Sequence, residues 1–182
     1  MKKIVIAVLL SAFAATPALA EKGSGIYVGV KVGQSDVYGS SEIGYGVYGG
    51  YNIDQSVTAK MVGNSKFMSQ VSFAGEAEYT VLGSYSSGPV TAKASAMGAA
   101  LAATYPINPQ FSAIAKAGLA RTAYDITCSG CFFWANTSSN TIGLRVGIAG
   151  QYNLHEKIVL RAGYDSYPNG YSQLSAGAVF NF

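Results

Sequence analysis

Ile142-Gly143-Leu144-Arg145-Val146-Gly147-Ile148-Ala149-Gly150-Gln151-Tyr152 is the stretch that decides the fold. Ile142, Leu144, Val146, Ile148 and Tyr152 share one parity, while Gly143, Arg145, Gly147 and Gln151 share the other. A repeat of two marks a β-strand, whose successive side chains point to opposite faces. One face of this strand is bulky and oily; the other is small and carries a single charge.

The pattern recurs in both directions. Toward the C-terminus, Ile158, Leu160, Ala162 and Tyr164 oppose Arg161, Gly163 and Asp165, and Leu174, Ala176, Ala178, Phe180 and Phe182 oppose Ser175, Gly177 and Asn181. Toward the N-terminus, Phe111, Ala113, Ala115, Ala117 and Leu119 oppose Ser112, Lys116 and Gly118. Met97, Ala99, Leu101, Ala103 and Tyr105 share a parity between the turn signals Ser86-Ser87-Gly88-Pro89 and Pro106-Ile107-Asn108-Pro109. Alanine makes 92–105 a helix candidate by propensity, but Pro106 and the flanking hairpins favour a strand. Val71, Phe73, Ala77, Tyr79 and Val81 oppose Ser72, Glu76, Glu78 and Thr80. Ile43, Tyr45, Val47 and Tyr51 alternate with Gly44, Gly46, Tyr48 and Gly50, and Ile26, Val28, Val30 and Val32 alternate with Tyr27, Gly29, Lys31 and Gly33. A polar loop is expected from Gln34 to Glu42. These are eight strands. Asp54 to Gln70 is longer than a turn and has room for a short hairpin, Val57–Val62 against Phe67–Val71. A ninth spanning strand there would put the termini on opposite sides, against the even count of bacterial barrels, so the stretch is read as an insertion.

Composition narrows the environment. Of 182 residues, 49% are hydrophobic and only 12% charged, against about 25% charged in an ordinary soluble domain. A net charge of +3, part of it from Lys2 and Lys3, gives no basic footprint for nucleic acid. Met1-Lys2-Lys3, the apolar run Ile4–Ala15 and the small pair Ala18 and Ala20 read as a secretory signal peptide over residues 1–20. That run falls short of the roughly 20 residues a membrane helix needs. The mature domain is therefore expected over residues 21–182.

The second face separates a membrane barrel from a soluble, lipocalin-like one with an apolar core. A face toward water should be studded with charge, yet here it is largely Gly, Ser, Thr and Ala. Such a face suits the interior of an eight-stranded barrel, which side chains fill. The bulky apolar face then looks outward to hydrocarbon. Tyr51, Phe73, Tyr105, Phe111, Tyr152 and Phe182 sit on the oily parity near one set of strand ends, as an interfacial aromatic girdle does. The expected fold is all-β, an eight-stranded antiparallel up-and-down transmembrane β-barrel, closed because lipid leaves no partner for an open edge. The termini then share a side with the turns at Asn52, Pro106–Gln110 and Asn153–Lys157, and the loops after Gln34, Tyr85, Tyr124 and Tyr167 face outside.

Gly46-Val47-Tyr48-Gly49-Gly50-Tyr51-Asn52, Ala77-Glu78-Tyr79 through Leu82-Gly83, Ala115-Lys116-Ala117-Gly118-Leu119-Ala120 and Arg161-Ala162-Gly163-Tyr164-Asp165 resemble the eight-stranded OmpA-like and opacity-type outer-membrane barrels of the porin family. The resemblance covers most of the mature chain and implies the bacterial outer membrane, with its lipid as partner. A strand ending in Phe182 resembles the signal that the barrel-insertion machinery reads. The long Asp54–Gln70 stretch departs from that family's usual turn. With no peptidoglycan-binding domain after Phe182, anchoring to the cell wall is not expected.

The inward parity collects Lys31, Glu76, Glu78, Lys116, Arg145, Arg161 and Asp165. Charges in a narrow lumen must be paired, so this cluster reads as a plug of salt bridges, with Glu78 pairing with Arg145 or Lys116. The competing reading is a selectivity gate in a small pore, with Gly29, Gly33, Gly44, Gly46, Gly147 and Gly163 leaving room for water. Cys128-Ser129-Gly130-Cys131, in the loop between the fifth and sixth strands, could be a redox couple or half a zinc site. Without a second pair, and outside the cytosol, it reads as a disulfide pinching the loop. Phe132, Phe133 and Trp134 top the barrel at the lipid boundary or form a surface-contact patch. No catalytic, cofactor or metal site is expected: the one histidine, His155, falls in a turn on the terminal side, and the glycines follow strand parity, not a phosphate loop. The functional expectation is a monomeric structural or surface-interaction protein of adhesion type, meeting a host or surface ligand through its external loops. The alternative is a narrow passive pore for ions or small solutes.

Overall fold

The computed structural model describes residues 25–37, 39–54, 70–87, 90–128 and 137–182. Its strands are β1 (Ile26–Val37), β2 (Ser40–Ile53), β3 (Ser72–Ser87), β4 (Val90–Pro106), β5 (Phe111–Cys128), β6 (Thr137–His155), β7 (Ile158–Ser166) and β8 (Ser172–Asn181). Each pairs antiparallel with its neighbours in sequence, and β8 pairs with β1 to close the ring. This is the eight-stranded up-and-down barrel that the alternation predicts. Closure gives every strand a partner on both sides, although β6 runs on past the end of β7, whose pairing with it stops at Val146.

The two parities keep the orientation expected of them. Ile142 and Ile148 are 72% and 67% exposed, whereas Arg145 between them is fully buried. Leu101 and Leu119 likewise face outward. A soluble barrel would show the reverse, so the lipocalin-like reading fails. The alanine-rich segment is strand β4, hydrogen-bonded along its length to β3 and β5. Pairing on both sides overrides its helical propensity. Its inward Ala94, Ala96, Ala100 and Ala102 are buried.

Several boundaries differ from the sequence reading. The expected loop Gln34–Glu42 is mostly strand: β1 runs to Val37 and β2 starts at Ser40 in continuous register. The break expected after Tyr124 comes later, because β5 continues to Cys128, and Ser86 and Ser87 remain in β3. These residues are polar because they have left the apolar belt, not because they have left the sheet. Val71, read as the first outward residue of its strand, precedes β3 and is buried. The β3–β4 register shifts between Val81 and Gly83. Such a bulge inserts one residue and turns the following side chains to the other face. The proposed hairpin of Val57–Val62 with Phe67–Val71 lies, apart from Gln70 and Val71, outside the described residues.

The barrel has a terminal end, where Asn52 N donates to Gly25 O (2.8 Å) and Phe182 N to Ile26 O (3.1 Å), and a distal end. Its interior is layered. Tyr27, Tyr48, Ala74, Ala102, Ile114, Val159 and Val179 form an apolar layer toward the terminal end. Val37, Leu82, Ala94, Ala96, Ala120, Tyr167 and Tyr171 form another toward the distal end. Two inward glycines allow the tyrosines of the first layer to lie flat. A Cβ on Gly29 would sit 2.3 Å from the Tyr48 ring, and one on Gly50 would sit 2.3 Å from the Tyr27 ring.

Candidate functional site: the luminal charge network

Between the apolar layers, period two sends seven ionisable side chains into the lumen. Lys31 comes from β1, Glu76 and Glu78 from β3, Lys116 from β5, Arg145 from β6, and Arg161 and Asp165 from β7. All seven inward candidates are connected. Arg145 Nη2 donates to Glu78 Oε2 (2.6 Å) and Asp165 Oδ1 (3.0 Å). Lys31 Nζ lies 3.0 Å from Glu78 Oε2 and 3.3 Å from Asp165 Oδ2. Lys116 Nζ reaches Asp165 Oδ1 at 3.4 Å and Glu76 Oε2 at 3.7 Å. Arg161 pairs with Glu76 and donates to Gln151 Oε1 at 3.2 Å. Of the two partners considered for Glu78, the structure brings Arg145, and it adds Lys31. Lys116 goes to the other two carboxylates.

Four cations face three carboxylates, and tyrosines make up part of the difference. Tyr27 donates to Glu76 Oε1 (2.7 Å) and Tyr167 to Glu78 Oε1 (2.5 Å), while Lys31 donates to the Tyr167 hydroxyl (2.9 Å). Arg161 lies over the rings of Tyr48 and Tyr27, at 5.1 and 5.5 Å from their centroids, and Arg145 lies over Tyr167 at 5.4 Å. A ring face attracts a desolvated cation by about 2 kcal/mol. Burial, then the carboxylates of Glu78 and Asp165, push the Tyr167 hydroxyl well above its ordinary range, so it stays protonated and donates. The sequence reading missed these tyrosines as members of the site. Tyr27 and Tyr48 share the parity of Lys31 and Gly46, which was the available signal; Tyr167 sits in a connection and carried none.

The inward glycines make room for these side chains. A Cβ on Gly147 would lie 2.4 Å from Asp165 Oδ1, and one on Gly46 would lie 2.5 Å from Thr80 Oγ1 and 3.2 Å from Lys31 Cε. Gly44 is covered by Ser35 and Gln173 in the same way. At Gly29, Gly44, Gly46 and Gly147 the space that could have held water is occupied by neighbours.

The sequence matches the outer membrane protein beta-barrel domain over residues 5–182. The chain belongs to the outer-membrane β-barrel family. Its place is the bacterial outer membrane, and its exposed apolar belt faces lipid. Similar barrels include neisserial surface protein A (19% identity, TM-score 0.62, 89% of this chain and 100% of that one). Another is the attachment invasion locus protein Ail of Yersinia pestis, in complex with the heparin analogue sucrose octasulfate (14% identity, TM-score 0.59, 86% and 96%). A third is the N-terminal barrel of Pseudomonas aeruginosa OprF (16% identity, TM-score 0.53, 88% and 100%). Likeness at these identities establishes the shared fold. No curated protein matches the sequence.

The remaining candidates fall elsewhere on this outer-membrane barrel. Phe182 is half-buried at the terminal end, its ring 5.5 Å from that of Phe180. In the aromatic girdle Phe111 packs on Tyr152 at 4.8 Å. His155 ends β6 and is exposed. Cys128 is the last residue of β5 and not part of a loop as expected. Cys131, Phe132, Phe133 and Trp134 lie outside the described residues. Among the described residues no group of His, Cys, Asp or Glu is arranged to hold a metal ion.

Proposed function

We propose that this protein is a structural or surface-interaction barrel without catalytic turnover, its lumen closed by the charge network. The observation that carries the reading is the stacking of two apolar layers on a seven-membered ionic belt. An open pore needs a continuous polar path, and the tyrosine and leucine layers interrupt it at both ends. The covering of the inward glycines weighs the same way against the rival, a narrow passive pore. Residues 1–20 are taken as a cleaved signal peptide, Phe182 as the mark for the insertion machinery, and the barrel as a monomer. The distal end then faces outside, with Cys128 and Cys131 joined by a disulfide beside a contact patch of Phe132, Phe133 and Trp134. Refolded protein in a planar bilayer is expected to give no steady single-channel conductance; a reproducible ohmic step would overturn the plug. Trp134→Ala is expected to reduce adhesion of cells displaying the protein while the barrel still folds, and unchanged adhesion would remove the patch from the reading.

A further inference from the structure

The distal mouth of the lumen holds a feature that neither the plug nor the contact patch uses. A cavity of about 100 Å³ opens there, lined among others by Val37, Ser40, Glu42, Gly83, Tyr85 and Tyr124. Such a volume accepts several water-sized groups. It does not continue into the barrel, because Leu82, Tyr167 and Tyr171 pack beneath it. Glu42 is half-buried and, among the described residues, makes no ion pair or side-chain hydrogen bond. The luminal cations are engaged below, and Lys93 and Arg121 stand on the outward parity of Met97 and Leu119.

We propose that this mouth is a binding site for an alkylammonium group, with the Glu42 carboxylate as counter-ion and the rings of Tyr85 and Tyr124 as walls. The bulge between Val81 and Gly83 is what creates it. Without that inserted residue Tyr85 would share the outward parity of Tyr79; with it, Tyr85 faces the mouth opposite Ala92. Bulges that re-aim a side chain are common beside functional sites. Glycine at position 83 lets Glu42 lie across the opening, since a Cβ there would meet Glu42 Cβ at 2.5 Å. A partly desolvated carboxylate favours a cationic partner, and aromatic faces favour an organic cation, quaternary ammonium above all. One carboxylate alone is a poor set of ligands for calcium, which takes six to eight oxygens.

The inference goes beyond the surface-interaction reading and does not depend on it, because binding is read on the purified barrel. The test is an NMR titration of the folded full chain in a maltoside detergent. Choline represents a lipid head group, n-butylammonium a lysine side chain, and the neutral isostere of choline, with carbon in place of nitrogen, is the control. Saturable shifts at Tyr85 and Tyr124 are expected with at least one cation. Affinity should fall about tenfold or more in both Glu42→Gln and Tyr85→Leu and be retained in Tyr85→Phe. Heat-modifiable gel mobility verifies that each variant is folded, and either loss-of-site variant suffices if the other does not fold. Absence of a saturable response to both cations, equal binding of the isostere, or unchanged affinity in a folded Glu42→Gln or Tyr85→Leu barrel would overturn the proposal.

Discussion

Replacing Glu78 by Gln removes one of three carboxylates that hold four buried cations together. Glu78 accepts from Arg145 (2.6 Å), Tyr167 (2.5 Å) and Thr80 (3.0 Å) and lies 3.0 Å from Lys31 Nζ. Glutamine keeps one oxygen for Tyr167 and Thr80, but its amide nitrogen then faces Arg145 and Lys31, donor against donor. Breaking a buried pair typically costs 3–5 kcal/mol. Asp165 still reaches both cations, at 3.0 and 3.3 Å, so the lower end, about 3 kcal/mol, is the expected loss. With a urea slope of about 2 kcal/mol per molar, the unfolding midpoint should drop by about 1.5 M. The assay is urea unfolding in lipid vesicles, read by gel mobility and by the fluorescence of the single tryptophan, Trp134. Glu156→Gln in the exposed turn between β6 and β7 serves as control, expected to change stability by less than about 0.5 kcal/mol. Adding Arg145→Met to Glu78→Gln should recover part of the loss, because one of the surplus cations is gone. A Glu78→Gln midpoint within about 0.3 M of the parent at unchanged slope would refute the claim that the network stabilises the barrel.

Three further outcomes follow from the packing. Gly29→Val drives a side chain into the Tyr48 ring and should cost about 1–3 kcal/mol of overpacking, read as a lowered urea midpoint; an unchanged midpoint would mean the ring moves freely. Ile148→Arg on the lipid face should destabilise the barrel by about 2–4 kcal/mol near the bilayer midplane, whereas the same change at Asn140, toward the distal end of β6, should cost far less. If Cys128 and Cys131 form the proposed disulfide, a thiol reagent should find no free thiol in the unfolded, unreduced protein. The Cys128→Ser/Cys131→Ser pair should then lose at most about 2 kcal/mol, because the closed loop is short.

The orientation of nearly every strand was legible because a barrel wall has only two faces and lipid accepts only one of them. Lys31, Lys116 and Arg145 could be placed in the lumen from parity alone. Which charges touch could not, since Arg145 and Glu78 are 67 positions apart and meet only after closure sets the stagger of the strands. Tyr167 was invisible as a network member because it lies in a connection that folds back into the lumen. The polar stretch Gln34–Glu42 was misread because hydropathy reports the surroundings of a side chain, while strand identity depends on backbone pairing. Val81-Leu82-Gly83 offered a break in alternation, yet whether such a break is a bulge or a strand end depends on the register of the partner strand.

From the order of residues alone come the count of strands, the face each turns to lipid and the set of ionisable groups sent inward, all consequences of a period of two against an apolar solvent. Only the closed tertiary structure decides how far the strands run beyond the apolar belt, which cation meets which carboxylate, and that Tyr85 turns into the distal mouth. Those outcomes depend on the stagger between strands distant in sequence, which no local pattern encodes.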